Sequence, residues 1–249
     1  MSTEEETLCR LLDEGGGVSR SVAAYGPHPD HLVEIYAPST DDPISTGPTT
    51  GTLVVVHGGY FRPGVDRTHA RPMAAALAAS GWRVALAEYR RVPGDPEAST
   101  ADLAALEAHL RSAGHELATW VGHSAGGALV IWRALQPDLP PTRALALAPV
   151  ADFDAAVAER LGGDAVTDWI GASPTQAPAL YARLDPARLR AADPAAARRV
   201  HVLHGDADAT VPLRQSEGWS RTVLHGADHF DPVDPGSPHW SAVLEALSG

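Results

Sequence analysis

The pentapeptide Gly122-His123-Ser124-Ala125-Gly126 follows a short apolar run, Leu117 to Val121, and opens a longer apolar stretch, Ala128 to Leu135. The first run has the length of a buried strand and the second that of a helix. A strand, a G-x-S-x-G turn and a helix in that order leave the chain few arrangements. The serine between them sits on a sharp, strained turn with its hydroxyl exposed at the strand end, a nucleophile elbow. Side chains two positions before and after it would collide with the neighbouring strand or helix, so both positions are glycine. Ser124 is therefore the candidate nucleophile. The competing reading, a loop with a capping serine, gives no role to the flanking strand and helix.

Two further segments belong to the same chemistry. Thr52-Leu53-Val54-Val55-Val56 reads as a buried strand and runs into His57-Gly58-Gly59-Tyr60-Phe61. Glycines directly after a strand let backbone N–H groups point into a site without Cβ obstruction, as an oxyanion hole requires. Downstream, the apolar strand Val200-His201-Val202-Leu203 leads into His204-Gly205-Asp206-Ala207-Asp208, and Val223-Leu224 leads into Gly226-Ala227-Asp228-His229-Phe230. The reactive groups thus come in the order serine, aspartate, histidine. Asp206 and Asp208, two residues apart, are both candidates for the acid.

At 249 residues and 26.1 kDa the chain is expected to form one domain, residues 1–249, with a large core. Its net charge of −12, without a basic cluster, argues against nucleic acid and anionic membrane as partners. All 19 basic residues are arginine, so Schiff-base and Ser-Lys chemistry are excluded. Cys9 is the only cysteine, which rules out an intrachain disulfide, and it reads as a semi-buried thiol in an acidic amphipathic start from Glu4 to Leu12. The acidic N-terminus does not read as a signal peptide, and no apolar run approaches the ~20 residues of a membrane span. The expectation is a cytoplasmic protein whose partner is a small-molecule substrate, with a homodimer as the one protein association to consider. Twelve histidines raise the question of a metal, yet no H-E-x-x-H spacing occurs, so no metal or organic cofactor is expected.

Short apolar runs alternate with helical patterns of ten or more residues, the signature of βαβ units around a parallel sheet. Strands are expected at Leu32–Tyr36, Thr52–His57, Arg83–Ala87, Ala118–Val121, Ala144–Ala148, His201–His204 and Ser220–Leu224. Helices are expected at about Thr68–Ser80, Ser99–Ala113, Ser124–Leu135 and His239–Leu247. Ser39 to Gly51, rich in Pro, Thr, Ser and Asp, reads as a solvated connection. Residues 151–190 are helical in composition with breaks at Gly162-Gly163, Ser173-Pro174 and Asp185-Pro186, and read as a small cap-like insertion.

Taken together, Gly122–Gly126, His57–Phe61 and His204–Pro212 resemble the α/β-hydrolase superfamily, in its esterase branch with an H-G-G oxyanion loop. Finer features resemble kynurenine formamidase and its esterase relatives. These are Tyr25-Gly26-Pro27 before Leu32–Pro38, His57-Gly58-Gly59-Tyr60-Phe61 against H-G-G-Y-W, Arg214-Gln215-Ser216, and Asp228-His229-Phe230-Asp231 against D-H-F-D. Phe61 in place of tryptophan, and Pro232-Val233 where isoleucines are usual, depart from the pattern. The resemblance implies an α/β-hydrolase fold, a mostly parallel sheet flanked by helices with a helical cap. It further implies a triad of Ser124, Asp208 and His229 and an oxyanion hole of Gly58, Gly59 and the N–H of Ala125. Asp208 is the acid because it matches the aspartate of H-G-x-x-D-x-x-V-P, leaving Asp206 as a turn residue. Tyr60, Phe61, His123, Trp169, Tyr181 and Phe230 are the expected substrate contacts. The implied activity is an arylformamidase acting on an N-formyl aromatic amine such as N-formylkynurenine. A short-acyl carboxylesterase, a lactone or ester hydrolase of biosynthesis, and a non-catalytic binding protein on the same scaffold are the rivals.

Overall fold

Thr52-Leu53-Val54-Val55-Val56 is buried at every position, which a strand achieves only when both faces of its sheet are covered. The computed structural model, which describes residues 3–14, 20–38 and 51–249, shows how that happens. Among these residues the strands are β1 (Ser21–Ala24), β2 (Leu32–Tyr36), β3 (Thr52–Val56), β4 (Arg83–Ala87), β5 (Leu117–His123), β6 (Arg143–Leu147), β7 (Val200–Gly205) and β8 (Arg221–Leu224). The helices are α1 (Thr3–Glu14), α2 (Arg71–Ala79), α3 (Pro96–Ser112), α4 (Ala125–Ala134), α5 (Phe153–Ala158), α6 (Ala165–Ile170), α7 (Pro178–Leu184), α8 (Pro186–Ala192) and α9 (Trp240–Ser248). The sheet order is β1-β2-β4-β3-β5-β6-β7-β8, with β1 and β2 antiparallel and β3 to β8 parallel.

The pleat divides each strand between two cores. Val54 and Val56 join Ala85, Ala87, Trp120, Ala144 and Val202 on the face covered by α3, α4 and the helices between β6 and β7. Leu53 and Val55 join Leu86, Val121, Leu145 and Leu203 on the face covered by α1, α2 and α9. The chain leaves β3 toward β4 on one side and returns to β5 on the other. The carboxyl ends of β3 and β5 therefore flank a switch point, where open α/β sheets form their binding crevice.

Most expected elements stand within a few residues of their places. α3 begins at Pro96, three residues earlier than expected, because Asp95 caps it by accepting from Ala98 N at 3.3 Å and Pro96 fits the first turn. β1 gave no signal, since an edge strand of Ser-Val-Ala-Ala with mostly exposed residues lacks alternation. Asp185-Pro186 is more than a break: it ends α7 and caps α8, the Asp185 side chain accepting from Ala187 N. Cys9 is exposed on α1, not half-buried, because the buried residue of that helix is Leu11. The Ser39–Gly51 connection lies, except for Gly51, outside the described residues. No helix among the described residues is long and apolar enough to cross a membrane.

Gly126 is the tightest point of this packing. A Cβ there would lie 2.2 Å from Val56 O and 2.4 Å from His57 O, and one at Gly122 would lie 2.3 Å from Gly126 O. Both obstacles are backbone and cannot swing aside. Gly126→Ala should therefore destabilise the fold by about 3 kcal/mol or more, the upper part of the overpacking range. Thermal unfolding should show this as a Tm loss of roughly 6–12 °C. An unchanged Tm would mean that α4 can move off β3.

Candidate active site

Ser124 stands between β5 and α4 with φ 54° and ψ −118°, a backbone conformation that L residues rarely adopt. Its N–H donates to Leu147 O at 2.9 Å and its carbonyl accepts from Val150 N, so the neighbouring strand end holds the strained residue on both sides. The elbow places the serine at the carboxyl end of the sheet and at the start of a helix. Ala125, the first residue of α4, has an N–H that helix geometry leaves without an intrahelical partner.

Asp208 lies on the loop after β7 and His229 on the loop after β8, and both are buried. His229 Nδ1 is 2.8 Å from Asp208 Oδ2. The carboxylate's other oxygen accepts from Thr210 N at 2.9 Å and Val211 N at 2.6 Å. Burial opposes the charge on Asp208, but hydrogen bonds with His204 and His229 outweigh it and hold the carboxyl below its ordinary value. With the carboxylate on Nδ1, that nitrogen carries the proton and Nε2 is the basic one. Asp206 is two residues away and exposed. It accepts from Gly226 N at 2.7 Å and faces His225 Nδ1 at 2.8 Å, so it ties two loops together and is not an Asx turn on its own loop. The His229 loop is knitted by its flanking aspartates: Asp228 accepts from Phe230 N and Asp231 N, and Asp231 accepts from Asp228 N.

The loop after β3 is bent where the sequence offers little glycine. Gly59, Tyr60 and Phe61 all have positive φ, 123°, 54° and 56°. Two non-glycine residues there cost about 1–3 kcal/mol each and need support. Arg62 N bonds back to Gly59 O, and the N–H groups of Gly59 and Tyr60 find no acceptor among the described residues. Gly58 turns its carbonyl toward His57 Nδ1 at 2.7 Å. Beneath the loop, His57 Nε2 is 3.1 Å from the buried Glu88, and Tyr89 Oη donates to His57 O at 2.9 Å. Glu88 also pairs with Arg91 and with Arg67, whose Nε reaches the buried Glu34 at 2.9 Å. Burial works against ionised Glu88, yet His57 and Arg91 together keep its carboxyl well below the usual range.

A cavity of about 400 Å³ opens over Ser124 and is lined by Gly59, Tyr60, Val65, His69, His123, Thr210, His229 and Phe230. Of the expected substrate contacts, Tyr60, His123 and Phe230 reach it. Three do not. Phe61 is buried and stacked on Trp169, ring centroids 4.1 Å apart, and the two border a separate depression of about 220 Å³. Tyr181 is fully buried with its hydroxyl on Ala172 O. These rings pack the underside of the helices between β6 and β7 because that is where their apolar area is covered. Gly58 also stays out of the lining, and Gly59 with Tyr60 takes its place. His123 donates from Nε2 to His229 O at 3.0 Å, and burial drives its pKa far down. His69, likewise buried, is pushed down to about 4. Unforeseen in the sequence, the cavity has a wall from α1: Glu4, Glu5 and Leu8.

No protein-family model matches the chain, and no curated protein matches it. Solved structures do. The chain is similar to esterase B from Lactobacillus rhamnosis in a C6–C4 SN3 inhibited form, at 19% identity and TM-score 0.72, over 98% of this chain and 91% of that one. It is similar to carboxyl esterase 2 from Tuber melanosporum at 17% identity and TM-score 0.64, over 95% and 86%. It is also similar to Thermogutta terrifontis esterase 2 phosphoramylated by tabun, at 18% identity and TM-score 0.60, over 91% of both chains. The fold is the α/β-hydrolase fold.

The depressed Glu88 carboxyl makes a stability prediction. A folded pKa below the unfolded value of about 4.3 adds stability that is present above that pH and lost as pH falls below it. Glu88→Gln leaves Arg91 without its carboxylate and Arg67 with Glu34 alone, and should cost about 3–5 kcal/mol near pH 7. The gap to the parent protein should narrow below about pH 4.3, as read by urea unfolding between pH 7 and 3. A gap independent of pH would show that Glu88 is not ionised in the folded protein.

Proposed function

We propose that the chain is a serine hydrolase that cleaves a small carboxylic ester through an acyl-enzyme. One observation carries this reading: His229, paired with the buried Asp208 at 2.8 Å, lines the same cavity as a serine held at φ 54° on a strand-to-helix turn. In the reaction, Ser124 Oγ attacks the carbonyl carbon while His229 Nε2 takes its proton. The oxygen that becomes negative is met by the N–H groups of Ala125 and of the Gly59–Tyr60 turn, single donors of this kind being worth about 10²–10³ in rate. The imidazolium then protonates the departing alkoxide, the carbon–oxygen bond breaks, and the acyl group stays on Ser124. Water, deprotonated by His229, attacks the acyl carbon and returns free serine and a carboxylic acid. Asp208 fixes the Nδ1–H tautomer and stabilises the cation. The solved esterases named above support the ester class.

A second reading, an aryl formamidase, is favoured by two rings in the cavity, Tyr60 and Phe230, both from segments that resemble kynurenine formamidase. Ring contacts of this kind add roughly 0.5–1.5 kcal/mol for a planar aryl group beyond burial. Phe61, Trp169 and Tyr181 lend no support to it, since they lie elsewhere.

A fluorophosphonate should add to Ser124, and Ser124→Ala should lose at least about 10³ in kcat. Asp208→Asn should lose about 10⁴ through the wrong histidine tautomer, with Asp206→Asn within tenfold of the parent protein. Labelling of another serine, or equal losses at the two aspartates, would overturn the assignment. Comparing kcat/KM for p-nitrophenyl acetate, p-nitrophenyl butyrate and N-formylkynurenine separates the readings. The ester class requires the acetate or butyrate to be preferred, and a preference for the formamide replaces it with the second reading.

A further inference from the structure

The wall that α1 gives the cavity is built into the molecule at three successive turns of one helix face. Glu4, Leu8 and Leu11 are spaced i, i+4 and i+7, so they lie along one stripe. At the first turn, Glu4 reaches both loops that carry the aspartate and histidine. Its carboxylate accepts from Thr210 Oγ1 at 2.6 Å, Ala209 N at 3.1 Å and His229 N at 3.4 Å. At the third turn, Leu11 is fully buried among the side chains of the core that holds Met73 and Leu77 of α2. Arg10 pairs with the buried Asp234, on the loop that follows His229. A helix fixed at both ends presents what lies between them, and between them Leu8 faces the cavity that Ser124 and His229 also line.

We infer that Leu8 is a specificity-determining residue, setting the size of the substrate group that the α1 side of the cavity admits. This rests on the serine-hydrolase reading. The same cavity is lined by backbone and braced side chains, Gly59 and Tyr60 on the strained turn and His123 fixed to His229 O. Those groups cannot yield space without moving the oxyanion turn or the histidine. The Leu8 side chain is apolar and brings no acid–base group to the cavity, so its bulk is what trades against the substrate's. A cavity of about 400 Å³ is at the small end of ligand sites, where a few methylenes decide what fits.

The test reads ratios, which a loss of folded protein leaves unchanged. Two series are measured on the whole chain: p-nitrophenyl esters from acetate to octanoate, and acetate esters of alcohols from methyl to octyl. Leu8→Ala should raise kcat/KM for the longer member over the shortest by at least about tenfold in one series, and Leu8→Trp should lower it by a similar factor in the same series. Fluorophosphonate labelling of Ser124 accompanies each variant. If the proteins are labelled and active but both series keep the parent profile in both variants, Leu8 does not set specificity and the hydrolase reading stands. If the parent protein takes no label and cleaves no ester, the hydrolase reading fails and this inference fails with it.

Discussion

The contact between Gly126 and the carbonyls of Val56 and His57 is the one on which the site depends. Because no Cβ intervenes, α4 can start directly against the end of β3. That single approach brings the N–H of Ala125 and the strained turn after β3 to the same place, although the two come from segments more than sixty residues apart in sequence. An oxyanion site built from backbone N–H groups needs them ~3 Å from one atom, and it is backbone packing that sets that alignment. The sheet contributes the rest of the alignment, since the loops after β3, β5, β7 and β8 all leave from the same edge of parallel strands.

Positive φ at Ser124, Tyr60 and Phe61 stores strain where the N–H groups must point outward, and something must hold it there. Ser124 is held by its bonds to Leu147 and Val150. The turn after β3 is held from below by His57, Tyr89, Glu88, Arg91 and Arg67, a buried polar network in which each charge has a partner. From the other side it is held by the helices between β6 and β7. Phe61 stacks on Trp169, Arg62 donates to Gly162 O at 2.5 Å, and the Tyr60 ring lies so close to Gly162 that a Cβ there would be 2.3 Å from it. Gly162, which in sequence looks like part of a mere break, is thus a seat for the ring. This insertion braces the turn after β3, and its own aromatic rings pack in the core.

The parts of this arrangement that were legible in the sequence are those whose cause is local. A buried strand, a turn that forbids side chains and an apolar helix are written in consecutive residues, and so are seven of the strands and the elbow. The caps at Asp95 and Asp185 are local too, and could have been read from Asp-Pro at each helix start. What sequence could not give was the destination of long-range side chains. An aromatic on a short helix carries the same letter whether it faces ligand or core, and Trp169 and Tyr181 face core. The acidic amphipathic stretch at the N-terminus was visible, but nothing local says that Glu4 meets Thr210 and His229 more than two hundred residues later.

The histidines near Ser124 are chemically equal rings in different surroundings. His57 has a carboxylate partner, but both its nitrogens are engaged, one by Gly58 O and the other by Glu88 and Arg91. His204 lies 3.4 Å from Asp208, yet its Nε2 is 2.8 Å from Val211 O and its Nδ1 is 3.0 Å from Ser216 Oγ. His69 and His123 line the cavity without a carboxylate, and burial makes a positive charge on either unfavourable. His229 alone combines a carboxylate on Nδ1 with a place in the cavity lining. In the reaction proposed above the base must be neutral before attack and stable as a cation during it, and a ring with one nitrogen on a buried carboxylate and the other left to the cavity suits both demands. His69 and His123 fill the cavity wall, where burial disfavours a positive charge that would compete for Asp208.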